Sequence, residues 1–384
     1  MTTTIHLPPH RLSAASQRLR DEVRGFLDDE LEAGAFVPRC DAWMSVADPA
    51  FSRRLGARGW IGMTLPSAYG GHDRSPLERF VVTEELLAAG APVAAHWIAD
   101  RQMAPSILRH GSQAQRERYL PAIARGECYF AIGMSEPDAG SDLASVRTRA
   151  RQVEGGWEIT GTKVWTTGAH FAHAIVVLAR TDGSPADRHS GLSQFVVDLP
   201  APGVEIRPIH TIDGEHHFNE VIFDAAVVAE DSLLGERGAG WRQVTAELAH
   251  ERSGPERYMS TVPLLREWAE QLRGQGGGAA AERELGRLTA RAWTLRQMSL
   301  SVAAALAEGR PTEIAAALVK DLGSRFEGDV VETVRRLAGI EPRKNGSGLE
   351  GLLAEAILHS PAFTLRGGSN EILRSVVARG LGVR

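Results

Sequence analysis

The chain has 384 residues, a formal net charge of -5 and a hydrophobic share of 43%, with a pI near 6.2. That length supports two or three domains with ample core, and the mildly acidic balance leaves no nucleic-acid footprint. No apolar stretch approaches the roughly 20 residues that cross a bilayer, and the opening MTTTIHLPPHRLS lacks an apolar signal core, so neither membrane insertion nor export is expected. Two cysteines, Cys40 and Cys128, fit a reduced, cytoplasmic chain without a disulfide framework. His170 with His173 and His216 with His217 are the best-placed histidines, but no Cys/His/carboxylate set stands near them at ligand spacing, so no metal is expected.

Leu12, Leu19, Val23, Phe26, Leu27 and Leu31 mark one face of a helix over 11–36. Phe51–Trp60 reads as a second helix, followed by a breaker-dense connector over 61–71. Three more helical stretches follow, Pro76–Ala89, Pro92–His110 and Ser112–Arg125, the last opened by a capping box of Ser112 and Gln115. After Gly126-Glu127 the apolar period changes from 3.6 to 2. Strands are predicted over Tyr129–Met134, Thr148–Val153, Trp157–Thr167, Ala174–Arg180, Ser193–Asp198, Val204–Ile209 and Glu220–Ala226. Alternation is poor in Ala174–Leu178, as in a strand buried on both faces. From Gly238-Ala239-Gly240-Trp241 the helical period returns, predicting helices over 239–272, 280–308, 311–338, 348–358 and 369–379, with a glycine-rich turn at Arg273–Gly278. The expected chain is α+β: an all-α domain over 1–128, a β domain over 129–236 and a helical domain over 237–384.

The chemistry concentrates in Tyr129–Thr167. Its loop Ser135-Glu136-Pro137-Asp138-Ala139-Gly140-Ser141-Asp142 consists of turn formers and small hydroxyls, a composition that suits a phosphate or an electron-rich ring edge and equally a plain turn. Trp165, Thr166 and Thr167 at a strand end suit stacking on a flat ring while its rim is hydrogen-bonded. The spelling S-E-P-x-A-G-S-D followed by W-x-T resembles the flavin-binding segment of acyl-CoA dehydrogenases. Trp60–Gly71, spelled W-x-G-x-x-x-P-x-x-Y-G-G, resembles the family's N-terminal domain. The resemblance implies a helical domain, a middle β-barrel or sandwich and a C-terminal four-helix bundle.

It also implies FAD as cofactor, an acyl-CoA substrate, an electron-transfer flavoprotein as acceptor, and a homo- or hetero-oligomer, such as a dimer of dimers. By that resemblance Ser135 meets the pyrimidine edge of the flavin and Ser141 reaches a phosphate of FAD or CoA. Trp165 covers one flavin face, Thr167 bonds N5, and Met134, Gly133 and Thr166 contribute backbone groups. Asp142 reads as a helix N-cap.

Desaturating an acyl thioester sends the α-proton to a base and the β-hydride to an oxidant. The base is a carboxylate whose pKa a dry pocket raises, and a flavin is the suited oxidant. The family's commoner base precedes a G-T or G-S pair near the C-terminus, but here Gly367 stands before Gly368-Ser369. Glu371, further on, is expected at a helix–helix contact. The family's second base position precedes an arginine on the first helix of the last domain, which is Glu251-Arg252 here. Glu251 is therefore the expected base, with Arg252 beside the substrate; an ordinary solvated pair is the plain alternative. Two runs that complete the FAD site from a neighbouring subunit in the family, R-x-x-F-G and Q-x-x-G-G-x-G, are missing, and Lys320-Asp321-Leu322-Gly323 is a candidate replacement. The rival readings are a flavin oxidase or monooxygenase on the same fold, and a non-catalytic subunit of a heteromer.

Overall fold

The computed structural model describes residues 5–182, 188–251, 253–276 and 278–383, with no side-chain description over 247–251. By internal packing the chain divides into two compact units. Residues 1–46, 75–92 and 249–384 form one, and 47–74 with 93–248 form the other. Helices from the first 128 residues therefore contribute to both.

The second unit is built on one eight-stranded sheet. Its strands are β1 (Phe130–Gly133), β2 (Arg149–Val153), β3 (Gly156–Lys163), β4 (Ala174–Arg180), β5 (Leu192–Asp198), β6 (Val204–His210), β7 (His216–Ala229) and β8 (Leu233–Leu234). They run in the order β6-β7-β3-β2-β4-β5-β8, with β1 beside β4. β4 is buried on both faces, as its lack of alternation predicts. Ala174 and Val176 pack with Met103, Ile107 and Leu120, while Ile175, Val177 and Ala179 face Trp157, Phe195 and Phe223. β7 starts earlier than expected because its polar opening, His216 to Asn219, pairs with β6 without an apolar period. β8 is too short to leave any pattern.

One topological detail positions the site. β1 runs parallel to residues 174–177 of β4, and β2 meets the same strand at Arg149 opposite Arg180. The chain thus leaves β4 after Gly133 and rejoins it at Arg149, so residues 134–148 are thrown off the sheet as a loop.

Among this unit's helices, Gln113–Ala124 carries the predicted capping box, with Ser112 and Gln115 satisfying each other's backbone N–H. The stretch expected as one helix over 92–110 is three pieces, Ala94–Ile98, a π turn Ala99–Met103 and Ala104–His110. Pro105 cannot donate to the preceding turn, and the wider π turn absorbs the misfit.

The first unit is helical: Ala14–Glu32, Pro76–Ala88, Val262–Gln275, Ala279–Ala307, Glu313–Leu337, Gly348–His359 and Asn370–Gly380 are its longer helices. Buried Glu84 clamps three of them, pairing with Arg20 at 2.9 Å and Arg296 at 2.6 Å. The single helix expected over 239–272 is interrupted. Gly240–Glu251 ends, a 3-10 turn spans Pro255–Arg257, and Val262–Gln275 begins anew. Pro255 forces Gly254 into an extended backbone (ψ 167°) that no helix can continue.

Candidate functional site

The loop 134–148 is closed from within by one carboxylate. Glu136, 8% exposed, accepts the backbone N–H of Arg147 at 2.6 Å and of Thr148 at 2.9 Å. It also accepts from Lys163 Nζ at 2.8 Å. Lys163, fully buried at the end of β3, donates in addition to the Met134 carbonyl at 3.0 Å. One residue on, the Val164 N–H donates to the Ser135 carbonyl at 2.9 Å. A single buried ion pair therefore joins the serine loop to the strand end carrying Trp165. Burial pushes the Lys163 ammonium down to about 8 against the pull of Glu136. Burial works the other way on Glu136, but Lys163 and the N–H donors outweigh it and hold that carboxyl below its usual range.

Beyond Lys163 the chain turns sharply. Trp165 has a left-handed backbone, φ 58°, which costs a bulky residue about 1–2 kcal/mol. Its indole is 58% exposed and stands edge-on to Phe218 at 5.7 Å. Thr166 is fully buried, its N–H bonded to the Asn219 carbonyl and its own carbonyl to the Asn219 N–H, each at 3.0 Å. Both main-chain groups of Thr166, expected at the flavin, are engaged within the fold. The Met134 carbonyl is likewise taken, by Lys163, and its side chain packs on the core of Ala139, Val146 and Leu178. Ser135 and Thr167 are half-buried and Ser141 is exposed. Asp142 precedes a 3-10 turn, Leu143–Ser145, but makes no side-chain cap bond and pairs with Arg188 instead. The rigid outward indole, two hydroxyls flanking its turn and the outward Ser141 fit a flat ring that carries phosphate.

In the other unit, Glu251 is the last residue of its helix; its side chain, and Arg252 altogether, lie outside the described residues. The turn 364–370 is described in full. Gly367 has φ 67°, and a Cβ on it would stand 2.8 Å from Arg257 Nη1. Arg257 is itself buried over Trp43, 5.3 Å from the ring centre. Arg366 points inward, bonding Asp41, Ser260 Oγ at 2.7 Å and Glu327 at 3.1 Å. It also lies over Trp43 and Phe363 at 4.8 Å each. Burial opposes ionisation of Asp41, but Arg366 and His359 hold its carboxyl below the ordinary value. Burial pushes Glu327 up despite Arg366.

Two expectations fail here. Glu371 is exposed rather than set in a helix contact, because it lies in the first turn of Asn370–Gly380 on the solvent side. Lys320 is not offered to a neighbour: it is fully buried, donating to Asn370 Oδ1 at 2.7 Å and the Thr364 carbonyl at 3.2 Å. Burial, with Arg257 and Arg366 nearby, brings its ammonium down to about 7. Asp321 is engaged by Arg325 and Arg374.

Lys163, Asn219, Arg257 and Arg366 carry this architecture, and motif reading passed over all four. Lys163 and Asn219 sit in strands whose inward faces are otherwise apolar, and a lone polar residue at an inward position is the only local sign that could have flagged them.

The fold and the site's geometry agree with the matches to known proteins. The family model for the acyl-CoA dehydrogenase N-terminal domain matches residues 13–127, that for the middle domain 131–226 and that for the C-terminal domain 238–382. The chain belongs to the acyl-CoA dehydrogenase family, flavoprotein oxidoreductases with a helical N-terminal domain, a middle sheet domain and a helical C-terminal domain. Acyl-CoA dehydrogenase FadE29 of Mycobacterium tuberculosis is 34% identical over 382 residues, covering 96% of each chain. FadE34 of the same organism is 36% identical over 346 residues, covering 85% of this chain; the match spans about half of that relative, 45% of its length. The solved Tcur3481-Tcur3483 steroid ACAD superposes with a TM-score of 0.87 at 30% identity, over 97% of this chain and 99% of that one.

Proposed function

We propose that the protein is an FAD-dependent acyl-CoA dehydrogenase whose α-proton acceptor is Glu251, with electrons passing on to an electron-transfer flavoprotein. The observation that carries the base assignment is glycine at 367. Its left-handed backbone strains any residue with a Cβ, and that Cβ would stand 2.8 Å from Arg257 Nη1, so a glutamate there requires the guanidinium to shift. That leaves the second family position, Glu251 at the end of Gly240–Glu251, as our assignment for the base. When bound, FAD supplies the two-electron acceptor for the β-hydride. Trp165 offers its open indole face to the ring, Ser135 and Thr167 offer hydroxyl donors at its rim, and Ser141 offers one to a phosphate. Glu136 and Lys163 hold these groups in register.

Similarity to the Tcur3481-Tcur3483 steroid ACAD favours a bulky fused-ring acyl group. The missing R-x-x-F-G and Q-x-x-G-G-x-G runs, together with the internal engagement of Lys320, favour a heteromeric assembly in which a partner completes the adenine half. The test is purification with flavin content and native mass, followed by anaerobic addition of a panel of acyl-CoA thioesters. A yellow protein bleached by a thioester and slow to reoxidise in air supports the dehydrogenase. Rapid peroxide production would support an oxidase, and a protein that stays colourless with FAD and partner present would sink the reading. Glu251→Gln is expected to keep flavin and lower turnover by about 10²–10⁴-fold.

A further inference from the structure

Asn219 sits at the start of β7 with 0% exposure, and every polar atom of its amide is engaged. Oδ1 is 2.8 Å from His216 Nε2. Nδ2 donates to the Thr166 carbonyl at 2.9 Å and lies 3.2 Å from His170 Nδ1. With the main-chain pair between the same two residues, three bonds tie Asn219 to Thr166, the residue between Trp165 and Thr167.

The chemistry of the amide fixes the protonation of both imidazoles. Oδ1 only accepts, so His216 carries its proton on Nε2. Nδ2 only donates, so His170 must present a bare Nδ1 and be neutral, its proton on Nε2. The two rings are stacked, 4.1 Å between centres. A proton added to His170 Nδ1 would face an N–H of Asn219 and place a cation on the neighbouring ring. Nδ2 would lose one partner, and the grip on Thr166 would loosen. The strained turn at Trp165, φ 58°, depends on such over-determination by its surroundings.

We propose that Asn219, held between His170 and His216, is the positioning residue of the Trp165–Thr167 segment, and that protonation of His170 releases this segment and weakens FAD binding. The inference rests on the flavin reading above.

His170 is exposed while Asn219 is not, so bulk pH reaches a ring whose inner nitrogen anchors a buried group. The other titratable or charged groups on the elements around the pair are Glu205, Arg207 and His210 on β6, Asp213 and Glu215 on the following turn, His217, Glu220 and Asp224 on β7, and His173 beyond His170; Arg207 pairs with Glu205 and Glu220. His210 lies 5.7 Å from His216, ring to ring. Asp213 accepts from Thr211 Oγ1 and from the Glu215 N–H, which ties its carboxylate to its own turn. Partial burial and His216 keep His170 below its ordinary 6.5, against a smaller opposing effect of Asn219. The grip is therefore present above that value and lost as pH falls through the lowered one.

The experiment titrates FAD into the apoprotein of the wild type and of His170→Gln between about pH 8 and about pH 5, following flavin quenching. In parallel, the Asn219 side-chain NH₂ signal of the flavin-free protein is followed by ¹⁵N NMR. Wild-type affinity is expected to fall about tenfold or more toward the acid end, the Asn219 signal shifting with the same midpoint. The variant should match the wild type at the alkaline end and lose less than about threefold, because an amide in place of the imidazole does not titrate. An equal acid loss in both proteins, or an Asn219 signal indifferent to pH, overturns the proposal. A wild type that binds no FAD at the alkaline end overturns the flavin reading itself, and the NMR arm still reports whether His170 controls Asn219.

Discussion

Two turns rich in small and polar residues, Ser135–Asp142 in one unit and Leu365–Glu371 in the other, use their residues in opposite ways. In both, a charged residue points inward and organises the turn. Glu136 gathers Lys163 and two N–H groups; Arg366 gathers Asp41, Ser260 and Glu327. The first turn leaves Ser141 exposed and Ser135 half-open beside an exposed indole. The second sets Gly367 against a buried guanidinium and sends Glu371 away into solvent. Composition does not separate a site from a scaffold. What separates them is which polar groups remain after the interior has been satisfied.

The sharpest way to break this comparison is to transplant the base. If the turn at Gly367 is closed, Glu251→Gln/Gly367→Glu should stay at the turnover of Glu251→Gln, about 10²–10⁴-fold below wild type. Acyl-CoA-dependent bleaching of the flavin measures it, and recovery to within about tenfold of wild type would show the second turn to be open after all. Lys163→Met should destabilise the protein by about 3–5 kcal/mol, because Glu136 is left buried without its cation. The double variant Lys163→Met/Glu136→Gln should recover part of that loss. Urea denaturation of the apoprotein at neutral pH measures both, and a single variant as stable as the wild type would remove the ion pair from its organising role.

Arg366→Met tests the other turn and carries a pH signature. Asp41 is held below its ordinary 3.8 in the fold, so its contribution is present above that value and lost as pH falls through the lowered one. Removing Arg366 withdraws the cation from Asp41 and Glu327 together. The variant should be weaker by about 3–5 kcal/mol at neutral pH, with the gap narrowing as acid protonates the two carboxylates. A gap that stays constant from neutral pH down to about pH 3, below the ordinary carboxylate range, would mean that packing on Trp43 and Phe363, not charge, is what Arg366 supplies.

Much of the outline was legible because burial imposes periodicity. β4 showed itself by lacking alternation, the helix Gln113–Ala124 by its capping box, and the family by the spelling of the serine loop. The rest was hidden for physical reasons. The break after Glu251 lies in one dipeptide, Gly254-Pro255, inside an otherwise helical period. Lys163 and Glu136 are 27 residues apart, and no local pattern shows that a sheet gap brings them together. Thr166 reads as a cofactor contact by its place in W-x-T, yet its backbone bonds Asn219, a partner brought alongside just beyond the end of the β3–β7 pairing.

The smallest effect expected is also the most telling about Trp165. Trp165→Gly relieves about 1–2 kcal/mol of left-handed strain. It gives back about 0.5–1 kcal/mol through the freer unfolded chain and about 0.5–1.5 kcal/mol through the lost edge contact with Phe218. These terms nearly cancel, so apoprotein stability should change by no more than about 1 kcal/mol in chemical denaturation. FAD affinity, measured on the same preparation, should nonetheless fall, because the open indole face is gone. A strained, exposed tryptophan whose contacts only offset its strain points to a role in stacking on a ligand. Unchanged FAD affinity in this variant would leave the strain at Trp165 without a function and erase the contrast between the two turns.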